Sequence, residues 1–401
     1  MSHVQGRRQA GASRFVTVSS REKVAVLGRG VSGKAAASLV ESLGLEPVAL
    51  DGDDAFPEGR FAFAVVSPGV ALSHPWQRAC RERGIALVSE LQLGCAELRR
   101  RGWKLLAVTG SKGKSSVVRI VADAIASGGV KSVACGNYGR AVSDVALEGD
   151  PGWAVVEVSS FQLETTELPV DTFEAAAILN LQEDHLDRHG SVEVYHALKG
   201  RLAGMAKVCF CEGDQSGNVR LLGGSYFDND VLRSNGALAA ALMSRAGLGD
   251  EAIRRAFACF SPLPHRMNVV LERDGVKYVD DSKATSIAAM VAALRMSGEN
   301  VRLIAGGLPK GDDPSAALAD LTKRVKKVYL IGCCAQKFCD AWSGAADCEI
   351  CGTLESAVER ALRDARPGET VLLSPGCASY DQFENFGRRG EVFAMLVKKE
   401  G

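Results

Sequence analysis

Three α/β domains in series are predicted for this 401-residue chain by three observations. A short apolar run, a glycine-bearing turn and a helical stretch follow one another twice, at Lys23 to Leu43 and at Lys104 to Ile125. Strand-like and helix-like runs alternate again from Tyr278 to Leu373, the pattern of a parallel sheet covered by helices. The length also exceeds one ordinary core, at roughly 150 residues per domain. Boundaries are expected at 21–97, 98–262 and 263–401, after a leader at 1–20.

Composition narrows the class. Lys plus Arg and Asp plus Glu each number 48, so no net field draws the chain to nucleic acid or to an anionic membrane, although local phosphate sites stay open. No apolar run reaches the roughly 18 residues that span a bilayer, so no membrane insertion is expected. The 12 cysteines, scattered along a long chain, fit a reducing cytosol better than a disulfide framework. Met1 to Ser20 carries Arg7, Arg8 and Arg14 and lacks the apolar stretch of a secretion signal, so it reads as a disordered basic leader.

In the first domain a strand, Lys23 to Leu27, runs into Gly28-Arg29-Gly30-Val31-Ser32-Gly33 and a helix from Lys34 to Leu43. A second strand, Glu46 to Leu50, ends at Asp51. This is the opening of a small Rossmann-like unit, and taken alone it favours a dinucleotide. The strand-like Phe61 to Val66 leads into Ser67-Pro68-Gly69, and the unit closes by Leu91, early for a full dinucleotide fold.

The second domain starts from a strand, Lys104 to Val108, and the loop Thr109-Gly110-Ser111-Lys112-Gly113-Lys114-Ser115-Ser116 before a helix. Such a junction aims backbone N–H groups and a helix dipole at one point, which suits a polyphosphate; Lys114 would reach its outer phosphates and Ser115 would hold Mg²⁺. The full phosphate-loop pattern has glycine where Val108 stands. Trp153 to Val158 reads as a buried strand carrying Glu157, either a Mg²⁺ ligand or a paired structural acid, with Ser159 and Ser160 at its end. After the strand Phe173 to Leu181, His185 would bind metal or be oriented by Asp184 and Asp187, or stand in a surface turn. Lys199 lies on a helix from Tyr195 to Met205 and by itself is an ordinary solvated lysine. Val208 to Leu232 suggests short antiparallel strands, Asn235 to Ala246 a helix, and Ser261-Pro262-Leu263-Pro264 a rigid linker. A P-loop ATPase-like domain with a mostly parallel sheet accounts for this order.

The third domain reads as Rossmann-like. Three of its strands end in polar or glycine-bearing turns, Asp280 to Thr285, Gly306 to Gly311 and Ser374 to Ser379, which would converge on one crevice. Cys333, Cys334, Cys339, Cys348 and Cys351 read as core or surface thiols, since Cys348 and Cys351 form only a lone C-x-x-C.

Taken together these motifs resemble the ATP-dependent Mur ligases, and among them the branch that adds D-glutamate. The likeness spans all three domains and rests on the phosphate loop, Gly136-Asn137-Tyr138-Gly139, Glu157 to Leu163, Asp184 to His189, Pro264-His265-Arg266, Asp281 to Thr285 and Ser374 to Phe383. It implies that ATP phosphorylates the carboxylate of UDP-N-acetylmuramoyl-L-alanine and that D-glutamate attacks the acyl phosphate, in cytoplasmic peptidoglycan precursor synthesis, with the enzyme a monomer. It further implies two Mg²⁺ ions held by Ser115, Glu157, His185 and a CO₂-derived carbamate on Lys199. Asn137 and Ser159 would hold the muramoyl substrate, and Gly30, Val31, Ser32, Asp51, Ser67 and Gly69 its uridine diphosphate. ATP would meet Gly110 to Ser116, Asn235, His265, Arg266, Asp281 and Lys283. D-glutamate would meet Thr285, Lys310, Ser379, Tyr380 and the Phe386 backbone. Lys114, His185, Lys199 and Arg266 would be catalytic. Between Lys199 and Arg266 the chain is shorter than the family pattern, which bears on the adenine pocket. Two other classes use fewer of the motifs. A nicotinamide oxidoreductase would explain only the first glycine turn, and a non-catalytic nucleotide switch only the phosphate loop.

Overall fold

The computed structural model describes residues 22–399; the leader expected at 1–20 and the side chain of Asp187 lie outside the described residues. Contacts divide the chain into two compact units, residues up to Asp228 with Leu232–Phe260, and 229–231 with residues from Ser261 onward.

The first unit holds two sheets. Strands β1 (Lys23–Leu27), β2 (Glu46–Leu50), β3 (Phe63–Val66) and β4 (Leu87–Ser89) form a parallel sheet in the order β2-β1-β3-β4. Strands β5 (Lys104–Thr109), β6 (Ser132–Gly136), β7 (Trp153–Glu157), β8 (Ala175–Ile178) and β9 (Cys209–Cys211) form a second, in the order β6-β7-β5-β8-β9. Every pairing in it is parallel. The antiparallel strands expected after Val208 are therefore corrected: β9 pairs in parallel with β8, and a 3₁₀ turn, Ser216–Leu221, follows. The helical crossover Val192–Gly200 between β8 and β9 dictates this, because a strand that returns through a helix re-enters the sheet in the same direction.

One apolar core runs through both sheets, from Val24 and Leu39 to Leu105, Val156 and Leu202. At its centre the helix Glu90–Arg100 lies against the short helix Val142–Ala146. Glu90 is buried and its Oε1 accepts the Ser143 N–H at 2.7 Å, and burial holds its carboxyl above the usual range. Gly94 permits the approach, since a Cβ there would lie 2.8 Å from the Ser143 nitrogen. Gly94→Ala is expected to destabilise the first unit by about 1–3 kcal/mol through overpacking, read as a lower denaturation midpoint; an unchanged midpoint would show that the two helices can separate freely.

The second unit has one sheet, in the order β10-β11-β15-β12-β13-β14. Its strands are β10 (Asn268–Arg273), β11 (Val276–Asp280), β12 (Val301–Gly306), β13 (Val325–Ile331), β14 (Asp347–Gly352) and β15 (Thr370–Leu373). Only β10 is antiparallel, joined to β11 through Asp274-Gly275, both with positive φ, as a two-residue hairpin requires. The alternation read from Tyr278 to Leu373 does not include β10, the helix Ala335–Trp342, β14 or the final helix, Phe386–Lys399.

Candidate active site

The phosphate-loop candidate sits at the carboxyl end of β5, the central strand. Val108 is a buried member of that strand, paired with Glu157 on one side and Ala177 on the other, so its side chain fills core where the general pattern has glycine. The turn enters the helix Lys114–Ser127 through Gly113 at φ 87°; a Cβ there would lie 2.2 Å from Asn235 Nδ2. The loop is fastened from below. Lys112 N donates to Asn180 Oδ1, and Asn180 Nδ2 donates back to the Lys112 carbonyl, both at 2.9 Å. Ser111 Oγ bonds the Gln182 carbonyl at 2.9 Å and the Tyr195 hydroxyl at 3.0 Å. Lys114 folds over the loop, its Nζ donating to the carbonyls of Gly110 and Ser111 at 2.9 and 3.0 Å. Ser115 and Ser116 occupy the first helical turn, Ser116 buried. Asn235, expected in an adenine pocket, is buried under the loop, accepting from Asn180 Nδ2 at 3.2 Å and donating to the Lys112 carbonyl at 3.4 Å.

Beside this loop two charged side chains are buried. Glu157, at the end of β7, is 2% exposed; its Oε1 accepts from Asn137 Nδ2 at 2.7 Å, while Oε2 is buried with no hydrogen-bond partner among the described residues. An unsatisfied carboxylate oxygen in the interior is costly and is what a hard cation satisfies. Lys199, read in isolation as solvated, is 1% exposed, lies 4.7 Å from the Tyr195 ring centroid and donates from Nζ to the Gly110 carbonyl at 2.9 Å. Burial, reinforced by the Lys114 charge, pushes its amine down to about 7.

His185 adopts the left-handed conformation at φ 55°, a sparsely populated state for a residue with a side chain. Its ring packs 4.9 Å from that of Phe161. Asp184, expected to orient it, stands 3.9 Å away and is engaged at 3.0 Å by Lys112, which overcomes burial and brings the carboxyl below its usual range. Ser159 caps the helix Ser160–Leu163 in a capping box with Gln162.

On the first sheet Gly30 caps the helix Val31–Ser42 without a side-chain bond, and Val31 is 75% exposed at its first position. Gly33 allows helix and strand to touch, since a Cβ there would meet the Gly28 carbonyl oxygen at 1.7 Å. Ser67 Oγ donates to the same carbonyl at 3.4 Å, Asp51 is exposed, and Gly69 borders open space.

In the second unit the three expected turns do converge, because β11, β15 and β12 are neighbours. Gly376 N donates to the Ala284 carbonyl, and Leu308 and Ala378 exchange backbone bonds, all at 2.9 Å. Lys310 Nζ donates to Thr285 Oγ1 at 3.0 Å. Ser379 is buried, Tyr380 exposed, and the Phe386 carbonyl accepts from Ser282 Oγ at 2.8 Å. Asp281 is buried between Ser374 Oγ at 2.8 Å and the Met267 N–H at 3.2 Å, and burial raises its carboxyl to about 7. His265 and Met267, either side of Arg266, are both left-handed, and His265 Nδ1 lies 2.7 Å from Asp280 Oδ2. Lys283 Nζ lies 3.8 Å from the Phe386 ring centroid. Sequence reasoning missed Arg389. Only 1% exposed, it donates to Ser282 Oγ and to the carbonyls of Ser282, Cys377 and Ala378, tying two of the three turns together.

Among the described residues no three His, Cys, Asp or Glu side chains form a ready metal cluster, the cysteines of the second unit included. The chain matches the Mur ligase middle domain over residues 108–210 and the Mur ligase glutamate ligase domain over residues 265–377. It is 34% identical to the UDP-N-acetylmuramoylalanine–D-glutamate ligase of Chlamydia caviae, over 94% of this chain and 97% of the relative. The ligase of the same name from Myxococcus xanthus is 36% identical over 94% and 98%. Among solved structures, MurF ligase from Thermotoga maritima in complex with ADP superposes with a TM-score of 0.57 at 16% identity, covering 98% of each chain.

Proposed function

The chain belongs to the Mur ligase family, on the branch of UDP-N-acetylmuramoylalanine–D-glutamate ligases, and from that membership we propose how its residues divide the work of an ATP-dependent ligase in peptidoglycan precursor synthesis. The γ-phosphoryl group of ATP passes to the alanine carboxylate of UDP-N-acetylmuramoyl-L-alanine, releasing ADP. The amine of D-glutamate then attacks the acyl carbon, phosphate leaves, and an amide remains. Both steps bring anions together, so positioning and charge neutralisation dominate. The observation that carries the assignment is the phosphate loop flanked by two buried charged side chains, Glu157 and Lys199.

Lys114 and Arg266 neutralise the transferring phosphoryl group, and the loop N–H groups of residues 110–116 cradle the phosphates. Asn137 and Ser159 hold the muramoyl end; Gly30, Val31, Ser32, Asp51, Ser67 and Gly69 take the uridine diphosphate. Thr285, Lys310, Ser379, Tyr380 and Phe386 receive D-glutamate, while Asn235, His265, Asp281 and Lys283 serve ATP. The unpartnered Glu157 Oε2 fits a bound cation, and Ser115, Glu157, His185 and a carbamylated Lys199 would hold two Mg²⁺ ions. When bound, Mg²⁺ supplies charge neutralisation between ATP and the carboxylate. A place in the reducing cytoplasm suits the cysteines, all twelve of which are free thiols, and the enzyme acts as a monomer. Three modules, one per sheet, would then hold nucleotide sugar, ATP and amino acid.

Phosphate release from ATP, measured with UDP-N-acetylmuramoyl-L-alanine and a panel of amino acids, is expected only when the nucleotide sugar and D-glutamate are both present. Turnover with a different amino acid would overturn the specificity, and release without the nucleotide sugar would overturn the ligase assignment.

A further inference from the structure

Arg188 follows His185 by one helical turn, in the short helix Leu186–His189. Its Nε donates to Glu164 Oε1 at 3.0 Å and its Nη2 to Glu164 Oε2 at 2.6 Å, a two-pronged pair with the carboxylate almost fully buried. Nη2 also donates to the Pro68 carbonyl at 3.4 Å, and the guanidinium carbon lies 4.9 Å from the Phe161 ring centroid. Phe161 packs on His185. Glu164 is braced from behind by His189, whose Nδ1 lies 3.4 Å from Oε1 and whose Nε2 bonds Ser160 Oγ at 3.0 Å.

Pro68 belongs to the loop that takes the uridine diphosphate under the proposed function, whereas Phe161 packs on His185, which the same reading places at the reacting end. The loop is anchored to its own sheet without Arg188, through Ser67 N to the Leu27 carbonyl at 3.1 Å and Ser67 Oγ to the Gly28 carbonyl. Arg188 is therefore not what holds that loop to its own sheet, and it joins the loop to the Phe161 side. We propose that Arg188, braced by Glu164, is a positioning residue that sets the spacing between the uridine diphosphate grip and the site of acyl phosphate formation. The inference rests on the functional reading above.

A substrate held at both ends gains affinity and rate only when the two grips stand at its own length, and a misplacement of about 1 Å can cost about 10²-fold in rate. A ligand that fills one grip does not sense the spacing. Calorimetric titration of the full chain with UDP and, separately, with UDP-N-acetylmuramoyl-L-alanine tests this. In Arg188→Ala the Kd for UDP should stay within about twofold of wild type while the nucleotide sugar weakens at least about tenfold. The kcat should fall with KM for ATP unchanged, and Arg188→Lys should not restore it, because an ammonium cannot span both carboxylate oxygens. Should Arg188→Ala fail to fold, Glu164→Gln reports the same split. Equal weakening of UDP and nucleotide sugar, or weakening of neither, overturns the inference alone. A wild-type chain that does not bind the nucleotide sugar overturns the functional reading and the inference with it.

Discussion

Replacing Lys199 by alanine is expected to lower the ligase rate by about 10²–10³-fold, the scale of losing one preorganised electrostatic partner, and a short carboxylate such as acetate or formate added to the assay should restore part of it. The grounds are burial and charge. An ammonium sealed beside Lys114 is unfavourable, and its amine is accordingly pushed down to about 7. The neutral amine that dominates above that value is the form that adds CO₂, and the carbamate so formed is an anion beside the Lys114 ammonium. Removing CO₂ and bicarbonate should therefore slow the enzyme, more at about pH 6 than at about pH 8, because the ammonium cannot react. The same shift predicts the sign of a stability change. Between about 7 and the usual 10.5 the unfolded chain binds the extra proton, so stability rises with pH across that window. Wild-type activity in Lys199→Ala would remove the residue from the mechanism. A dead variant that no carboxylate revives would retain the lysine and remove the carbamate.

Lys114→Ala is expected to cost about 10³-fold or more in kcat, the range seen when a cation on a transferring phosphoryl group is lost. Its Nζ rests on the carbonyls of Gly110 and Ser111, within the loop whose amides would surround the phosphates. Because the developing charge is spread over the phosphoryl oxygens, the loss should fall on kcat more than on the KM for ATP. Steady-state kinetics with ATP varied separates the two; a raised KM at full kcat would make Lys114 a binding residue only.

The strands of the three sheets were largely legible because apolar runs ending in glycine turns are local signals, and the convergence of the turns after β11, β12 and β15 followed from parallel topology alone. What escaped depends on contacts made far along the chain. Lys199 looks like any helical lysine until Tyr195 and the Gly110 carbonyl close over it. Arg389 gives no sign in the sequence of the carbonyls it gathers, and Asn180 reads only as a polar residue at a strand end, although it holds the loop at Lys112. The hairpin at Asp274-Gly275 did carry a local signal, and the segment before it was passed over because Asn268 to Arg273 alternates only weakly. The place of Asn235 beneath the loop, its amide bonded to the Lys112 carbonyl and to Asn180, likewise gives no local sign.

The packing of Glu90–Arg100 on Val142–Ala146 also limits how such a protein can be recombined. Leu91 and Leu98 fill the same core as Val142 and Val145, and the Glu90 carboxylate is the acceptor for a helix N-terminus encoded some fifty codons later. A graft that exchanged the first sheet and its helices for those of a sister ligase, with its junction placed in the arginine-rich segment near Arg100, would leave the resident helix Val142–Ala146 without the acceptor that Glu90 supplies and the gap that Gly94 leaves. The two sheets of the first unit are thus inherited together, as one cassette.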